Sequence, residues 1–325
     1  MIVKLLSQLL LVGTLMQVVP ADVGMVEQLA TLPEAPTRSF DLLAAHDLVV
    51  NRLPEAKNKI VAPVSNRPTS VGVITSAQSA IVMDRASGEV LFEKNVHIPR
   101  AIGSITKLMT AHVFLLSNPD LNAPATLNSS DIRLGASQHL SLSDTYTVGN
   151  LLEASLVGSD NTATAALARL SGLSLGDFVA RMNEEAALLG MQRTTFADTT
   201  GLSSNNRSVV SDIAIMLDRI FEDETLKKVT QLPSVVITGG SGRSYFINTT
   251  DDLLSSFVNQ SPYSIIGAKT GFLPEAGYCL GTVFSHDNGG ELIVVVLGSE
   301  SKQGRFQDVK SLAVWAYDTF TWETL

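Results

Sequence analysis

Short segments rich in β-branched and other apolar residues stand towards both ends of the chain, bounded by turn-forming residues. Ala80–Asp84 and Glu89–Glu93 flank Arg85-Ala86-Ser87-Gly88, and this stretch therefore predicts a β-hairpin. The last third of the chain contains three more such segments, which are Ile265–Thr270, Gly277–Ser285 and Glu291–Gly298. The chain is thus expected to contribute strands from both of its ends.

Between these strands, apolar residues recur three and four positions apart, which is the spacing of a helix face. One predicted helix follows Gly103 and ends at Ser117-Asn118-Pro119. A second helical region extends from Val148 to Gly190. A closing helix has one apolar face made of Phe306, Val309, Ala313, Ala316 and Phe320.

This order of elements predicts an α+β fold, in which distant segments form one sheet and a helical lobe is inserted at about residues 101–235. The ordered domain is expected to cover residues 76–325. Val235–Thr238 and Ser244–Asn248 flank Gly239-Gly240-Ser241-Gly242, which predicts a two-stranded ribbon rather than a phosphate-binding loop, because no Gly-Lys-Ser/Thr follows.

The N-terminal segment has the pattern of an export signal. Lys4 precedes an apolar stretch from Leu5 to Val19, and Val19-Pro20-Ala21 offers small residues for cleavage. Residues 1–21 are therefore interpreted as a signal peptide, with an uncleaved N-terminal membrane anchor as the alternative. Residues 22–75 contain five prolines and predict a tether, with a short helical turn around Phe40–Val50. If the protein has a membrane anchor, the anchor is expected at the N-terminus.

Composition narrows the classes of function. The chain has 325 residues, a formal charge of −9 and a pI of about 5.0, and its lysines and arginines form no run, so nucleic-acid binding is not expected. Cys279 is the single cysteine, and its apolar neighbours predict a buried thiol rather than a nucleophile. The histidines show no zinc-ligand spacing; the family resemblance described below also implies no metal or organic cofactor.

Three short motifs carry the candidate chemistry. They are Ser104-Ile105-Thr106-Lys107, Ser159-Asp160-Asn161 and Lys269-Thr270-Gly271, in that order. Each is weak alone, since the first pattern recurs at Ser299–Lys302 and the second at Ser203–Asn205 and Ser204–Asn206. Their order, and the position of the first motif at the start of a helix, make a chance occurrence a minor explanation.

The first motif supplies a nucleophile and a base. Ser104 and Lys107 lie three residues apart on one face of a helix, so Lys107 can reach the Ser104 hydroxyl. Lys107 acts as a base only when its pKa is lowered by burial or by a second cation, for which Lys269 is the candidate. Which of the two lysines is neutral at rest is left open by the sequence.

The other two motifs supply binding groups. Lys269 and Thr270 can hold a carboxylate along a strand, and Gly271 allows a peptide to approach the backbone. The Phe272 N–H can join the Ser104 N–H as an oxyanion donor. Ser159 can relay a proton to a leaving amine, and the Asn161 amide can hold a substrate carbonyl.

From about Ala80 to Tyr317 the chain resembles the D-alanyl-D-alanine carboxypeptidases among the penicillin-binding serine peptidases. The likeness includes Leu156-Val157-Gly158-Ser159-Asp160-Asn161 and the run from Lys269 to Tyr278. It implies a penicilloyl-serine transferase (β-lactamase/transpeptidase-like) fold, an antiparallel sheet flanked by helices with a helical lobe. It also implies cleavage of the terminal D-alanine from peptidoglycan stem peptides through an acyl-enzyme on Ser104, with β-lactams as inhibitors.

Other functions remain open on the sequence. Shorter relatives include D,D-endopeptidases that cut peptidoglycan crosslinks, and transpeptidation uses the same acyl-enzyme. A class A β-lactamase is disfavoured because no Glu-x-x-Leu-Asn follows the second motif, and Glu184 and Glu185 are predicted to lie on a solvated helix face. A non-catalytic β-lactam or cell-wall sensor is the alternative from another class. His112 is expected to be a core or rim residue rather than a catalytic base.

Overall fold

The computed structural model describes residues 61–133, 137–287 and 289–322. The predicted signal segment, most of the predicted tether and the helical turn at Phe40–Val50 lie outside these described residues. Within them, every helix is too short or too polar to span a lipid bilayer.

A five-stranded antiparallel sheet forms the framework of the domain. Its strands are β2 (Ser79–Asp84), β3 (Val90–Lys94), β10 (Tyr263–Leu273), β11 (Gly277–His286) and β12 (Glu291–Ser299). Their spatial order is β10-β11-β12-β2-β3. Because β12 pairs with β2, for example Val296 with Ala80, the predicted N-terminal hairpin and C-terminal strands join in one sheet. The expected α+β fold is confirmed.

Helices cover both faces of this sheet. In chain order they are α1 (Thr106–Leu115), α2 (Val148–Leu156), α3 (Asn161–Leu170), α4 (Leu175–Leu188), α5 (Val210–Ile220), α6 (Glu224–Thr230) and α7 (Lys302–Thr319). Alternate residues of β12 point to opposite faces. Ile293 and Val295 belong to the core shared with the helices α1 to α6, whereas Val294 and Val296 pack in a second core with α7.

Short strand pairs complete the fold: β1 (Val64–Ser65) with β13 (Phe320–Thr321), β4 (Arg100–Ala101) with β7 (Arg207–Ser208), β5 (Pro124–Thr126) with β6 (Thr145–Thr147), and β8 (Ser234–Thr238) with β9 (Ser244–Asn248). The last pair is the predicted ribbon. Asp144 holds its turn by accepting hydrogen bonds from Ser241 N and Ser241 Oγ, at 2.9 and 2.6 Å.

The paired structure begins earlier than residue 76, where the sequence placed the start of the domain. Val64–Ser65 already pair with Phe320–Thr321, and Trp315 Nε1 donates a hydrogen bond to Ser70 Oγ at 2.8 Å. The proline-rich composition suggested a tether because prolines disfavour regular structure, but a two-residue strand and a few side-chain contacts hold this stretch against α7. Residues before 76 therefore already contact the C-terminal part of the chain.

Cys279 is fully buried on β11, and burial raises the pKa of its thiol to about 11. A thiol with such a pKa carries almost no thiolate near neutral pH. The prediction of a buried cysteine is confirmed.

Asp308 fastens the segment before β2 to helix α7. The side chain is 5% exposed, and its carboxylate accepts hydrogen bonds from Ser76 N, Ser76 Oγ, Ala77 N and Ser299 Oγ, at 2.7–2.9 Å. We expect Asp308→Ala to leave buried donors unpaired and to reduce the free energy of unfolding by about 3 kcal/mol. Thermal melting measures the effect.

The expected change in Tm is a decrease of roughly 5–10 °C. Asp318→Ala, an exposed position on the same helix, is the matched control and should melt within about 1 °C of the unmodified chain. Equal melting temperatures for the two variants would show that Asp308 does not fasten this segment.

Candidate active site

Ser104 and Lys107 stand where the chain enters helix α1. Ser104 lies in a 3₁₀ turn, Gly103–Ile105, that continues directly into the helix. Lys107 is one turn further on, and its Nζ lies 2.9 Å from Ser104 Oγ. Ser104 is partly exposed while Lys107 is fully buried, so the hydroxyl faces the cleft and the amine lies behind it. The contact expected from the sequence spacing is present.

Burial favours the neutral form of Lys107, whereas nearby oxygen atoms and negative charges favour the protonated form. Its Nζ lies 2.7 Å from Asn161 Oδ1 and 2.6 Å from the Thr200 carbonyl oxygen. Burial lowers the pKa of Lys107 to about 7, and the negative charges of Asp198 and Asp160 oppose this decrease. A substantial fraction of Lys107 is therefore unprotonated near neutral pH.

The second motif is placed by a helix cap. Ser159 has a left-handed backbone with φ of 57°, and Asp160 then caps α3 by accepting a hydrogen bond from Ala163 N at 2.8 Å. Asn161 is the first residue of α3. This sharp entry directs Ser159 towards Lys269 and Asn161 towards Lys107, so one short segment contacts both lysines.

The third motif lies on β10, an edge strand of the sheet. Lys269 is 1% exposed, and its Nζ lies 3.0 Å from Ser159 Oγ. Burial lowers the pKa of Lys269 well below its usual value, and the charges of Lys107 and Arg305 lower it further. Thr270 Oγ1 lies 2.7 Å from Thr250 Oγ1.

Two glycines allow β10 to pack tightly against the turn that carries Ser104. A Cβ on Gly271 would overlap the Ile102 carbonyl oxygen, and one on Gly103, where φ is +53°, would lie 2.7 Å from Phe272 N. The sequence assigned Gly271 to the approach of a substrate. In the structure, the closest neighbour of Gly271 is the chain's own backbone, and the packing keeps the Phe272 amide beside the turn of Ser104.

The motifs line one cleft of about 530 Å³. Its walls include the sequence-predicted residues Ser104, Ser159, Asn161, Thr270, Gly271 and Phe272. Lys107 and Lys269 are buried immediately behind Ser104 and Ser159. All eight residues singled out from the sequence are thus brought together. No group of three potential metal ligands occurs among the described residues.

Sequence reasoning missed Arg305, which also lines the cleft. Arg305 lies on α7, is 4% exposed, and donates a hydrogen bond from Nη1 to the Gly271 carbonyl oxygen at 3.1 Å. A signal was present in the sequence. Arg305 is four residues before Val309 on the apolar face of the closing helix, where an unpaired cation is unexpected.

The additional copies of the first two motif patterns, at Ser299–Lys302 and at residues 203–206, have structural roles. Ser299 Oγ donates to Asp308 at 2.7 Å, whereas Lys302 lies 3.6 Å from Asp252. Asn206 is buried and accepts hydrogen bonds from Ala197 N and Asp198 N. Neither recurrence forms a serine–lysine–asparagine constellation.

The expectation that Glu184 and Glu185 share a solvated face is correct only for Glu184. Glu185 is 8% exposed, with Oε1 3.3 Å from His112 Nε2 and Oε2 3.3 Å from an Arg181 nitrogen. The prediction failed because the two neighbours on α4 point about 100° apart, and only Glu185 faces α1. His112 is at the rim of the helical core, as expected.

Comparison with known proteins places these features in a family. The profile of a family described as D-alanyl-D-alanine carboxypeptidase matches residues 66–301. A D-alanyl-D-alanine endopeptidase of Haemophilus influenzae is 34% identical over 216 residues, 65% of this chain and 71% of that protein. A D-alanyl-D-alanine carboxypeptidase of Streptomyces sp. K15 is 30% identical over 261 residues, 74% of this chain and 87% of that protein.

The fold agrees with a solved structure. Penicillin-binding protein D2 of Listeria monocytogenes, in an ampicillin-bound form, superposes with a TM-score of 0.65 and 30% sequence identity. The superposition covers 76% of this chain and 99% of that one.

A substitution at Gly201 tests how closely the turn that carries Ser104 is packed. Its φ is +88°, and a Cβ there would overlap the Gly103 carbonyl oxygen. We expect Gly201→Ala to displace the turn and to reduce the rate at which a serine-acylating reagent labels Ser104 by at least about tenfold. Quantitative mass spectrometry measures this rate.

Gly176→Ala, on the helix α4 in open surroundings, is the matched control and should label normally. Normal labelling of the Gly201 variant would mean that the turn tolerates displacement without loss of reactivity.

Proposed function

The chain belongs to the D-alanyl-D-alanine carboxypeptidase family, and we propose that it removes the terminal D-alanine from peptidoglycan stem peptides through an acyl-enzyme on Ser104. The observation that carries this proposal is the pairing of Ser104 with a buried lysine, 2.9 Å away, in a cleft that also has the basic residues Lys269 and Arg305 buried at it. A nucleophile beside its base, with two further basic groups nearby, suits a peptide that ends in a carboxylate.

Acylation begins when neutral Lys107 accepts the proton of the Ser104 hydroxyl. Ser104 Oγ then attacks the carbonyl carbon of the penultimate D-alanine, and the Ser104 and Phe272 N–H groups stabilise the oxyanion. The carbon–nitrogen bond breaks, and the leaving D-alanine nitrogen takes up the proton that Lys107 received from Ser104, relayed by Ser159. A water molecule then hydrolyses the ester, which restores the Ser104 hydroxyl and releases the shortened peptide.

The terminal carboxylate is bound opposite the nucleophile. Thr270 and Arg305 line the cleft, and the Lys269 ammonium is buried beside Ser159. A carboxylate placed here gains charge-assisted hydrogen bonds, which are stronger than neutral ones. Asn161, which contacts Lys107, is positioned to hold the carbonyl of the substrate backbone. No metal or cofactor takes part in the proposal.

β-Lactams are the proposed inhibitors, since they acylate the same serine. The β-lactamase alternative requires a glutamate near the acyl ester, but Glu185 contacts His112 and Arg181, away from the lining of the cleft. We therefore propose a long-lived acyl-enzyme with penicillins, which a non-catalytic sensor would share without turnover of peptide.

The proposed location is outside the cytoplasmic membrane, in the periplasm or at the extracytoplasmic face, because peptidoglycan is found there. The signal peptide or anchor predicted for residues 1–21 agrees with export but lies outside the described residues.

Crosslink cleavage is the second candidate, because the Haemophilus influenzae relative is a D-alanyl-D-alanine endopeptidase. Both activities cut the bond after a D-alanine and differ in the group that leaves. Turnover of a stem pentapeptide and of a crosslinked dimer, compared under the same conditions, distinguishes them. Faster release of free D-alanine from the pentapeptide supports the carboxypeptidase, whereas faster cleavage of the dimer overturns it in favour of the endopeptidase.

Ser104→Ala tests the nucleophile. We expect the unmodified chain to form a penicilloyl adduct with benzylpenicillin on the peptide containing Ser104, and Ser104→Ala to form none, because the attacking oxygen is missing. Intact-mass and peptide-mapping spectrometry measure the adduct. Ser299→Ala is the matched control and should be acylated normally; the reverse pattern would refute the assignment.

Acylation by benzylpenicillin should depend on the protonation of Lys107. Only the unprotonated amine accepts a proton, so the second-order acylation constant should rise with pH through about 7 and level off above it. Lys107→Ala should reduce this constant by about a thousandfold. Rate measurements from pH 5 to 9 provide the test, with Lys228→Ala, an exposed lysine on α6, as control. A flat profile would exclude Lys107 as the base.

A further inference from the structure

Ser159 has a backbone conformation that requires support from its surroundings. Its φ of 57° lies in the left-handed region, which is uncommon for a residue with a side chain. Such conformations persist only when the neighbouring structure holds them in place. Because Ser159 Oγ lies 3.0 Å from Lys269 Nζ in the present conformation, the same support decides where the hydroxyl points.

His139 contacts the residues on both sides of Ser159. Its ring Nε2 lies 3.0 Å from the Gly158 carbonyl oxygen, and its main-chain N donates a hydrogen bond to Asp160 Oδ2. A carbonyl oxygen only accepts hydrogen bonds, so Nε2 carries the proton in this contact. The Gly158 carbonyl belongs to the peptide group that precedes Ser159, and the orientation of this group sets the φ of Ser159.

The histidine ring also packs against this peptide group. A Cβ on Gly158 would overlap Ile247 Cγ2 and would lie 2.8 Å from His139 Cδ2. The Gly158 main chain is therefore enclosed between the imidazole and the ribbon strand β9. A rotation of the peptide group would break its hydrogen bond to the ring within this narrow space.

The other two residues of the second motif are held by separate contacts. Asp160 Oδ1 accepts a hydrogen bond from Ala163 N at 2.8 Å, and Asp160 N donates to the Ala154 carbonyl oxygen at 3.0 Å. Asn161 N donates to the Ser137 carbonyl oxygen, also at 3.0 Å. Loss of the His139 ring should thus free the peptide group before Ser159 and leave the start of helix α3 in place.

We propose that His139 is a positioning residue, whose ring holds the peptide group before Ser159 and so directs the Ser159 hydroxyl at the leaving nitrogen of the substrate. The inference rests on the proposed function, in which Ser159 relays the proton from Lys107 to that nitrogen. His139 lies outside the described lining of the cleft and acts only through Ser159.

The position of this hydroxyl matters for some leaving groups and not for others. An amine does not leave as its anion, so cleavage of an amide requires a proton on the departing nitrogen. A thiol has a pKa of about 8.5, and a thiolate leaves without a proton. With a thioester, Lys107 therefore loses the proton of Ser104 to solvent instead of to the leaving group. Displacement of Ser159 should slow cleavage of the amide and spare the thioester.

The test compares two substrates that differ only in the scissile bond. One is a stem-peptide analogue that ends in D-alanyl-D-alanine, and the other has sulfur in place of the last amide nitrogen. We expect His139→Phe, which keeps a ring but donates no hydrogen bond, to lower kcat/KM for the amide by about tenfold. The value for the thioester should stay within about twofold. His139→Gln, which retains a donor, should recover most of the loss.

A double variant shows whether the effect passes through Ser159. Ser159→Ala alone should also slow the amide selectively, and addition of His139→Phe should cause no further loss, because the relay is already missing. His97→Phe makes the same substitution at an exposed histidine away from the cleft, and it should leave both values of kcat/KM unchanged. His139 is exposed as well, so thermal melting should show that all these variants fold.

Equal losses with the amide and the thioester would overturn the inference and make His139 a merely structural residue. An unchanged amide rate in His139→Phe, or a loss that adds in full to that of Ser159→Ala, would overturn it as well. Failure of the proposed function gives a different result, because the unmodified chain itself would then cleave neither substrate.

Discussion

The burial of two lysines in one cleft is the constraint on which the rest of the site depends. Removing an ammonium group from water is costly, and the cost is reduced when the group loses its proton or finds oxygen acceptors. Lys107 has three oxygen neighbours, in Ser104, Asn161 and Thr200. Lys269 has Ser159 and its own strand's Thr270 carbonyl. The same contacts that make burial tolerable also place each lysine against a hydroxyl.

The scaffold supplies these acceptors from segments far apart in the chain. The contact between Lys107 and Asn161 spans 54 positions, and that between Lys269 and Ser159 spans 110. The fold brings them together by packing α1 against α3 and by closing the sheet through β12 and β2. Gly103, Gly201 and Gly271 then permit backbones to approach more closely than any side chain would allow. The geometry at Ser104 is thus determined by main-chain packing as much as by side chains.

This distribution explains what the sequence could and could not predict. The Ser104–Lys107 contact follows from helical spacing alone, and the strands and helices follow from their apolar periodicity. Arg305 lines the cleft only through tertiary placement, since it is a single charged residue without a motif around it. Glu185 shows the same limitation: whether it faces solvent or His112 depends on how α4 packs against α1. Local patterns predict elements and local pairs, while charge pairing across elements requires the fold.

The protein as a whole is acidic, although basic residues are buried at its cleft. The chain carries a formal charge of −9, so long-range attraction cannot bring a peptide carboxylate to it. In the proposed function, the peptide carboxylate is recognised at short range by Lys269 and Arg305, which are 1% and 4% exposed. Salt screens buried charges much less than surface charges, so such a site keeps its strength at high ionic strength. The charge of Arg305 also lowers the pKa of Lys269, so the arrival of a substrate carboxylate in the proposed mechanism favours protonation of Lys269.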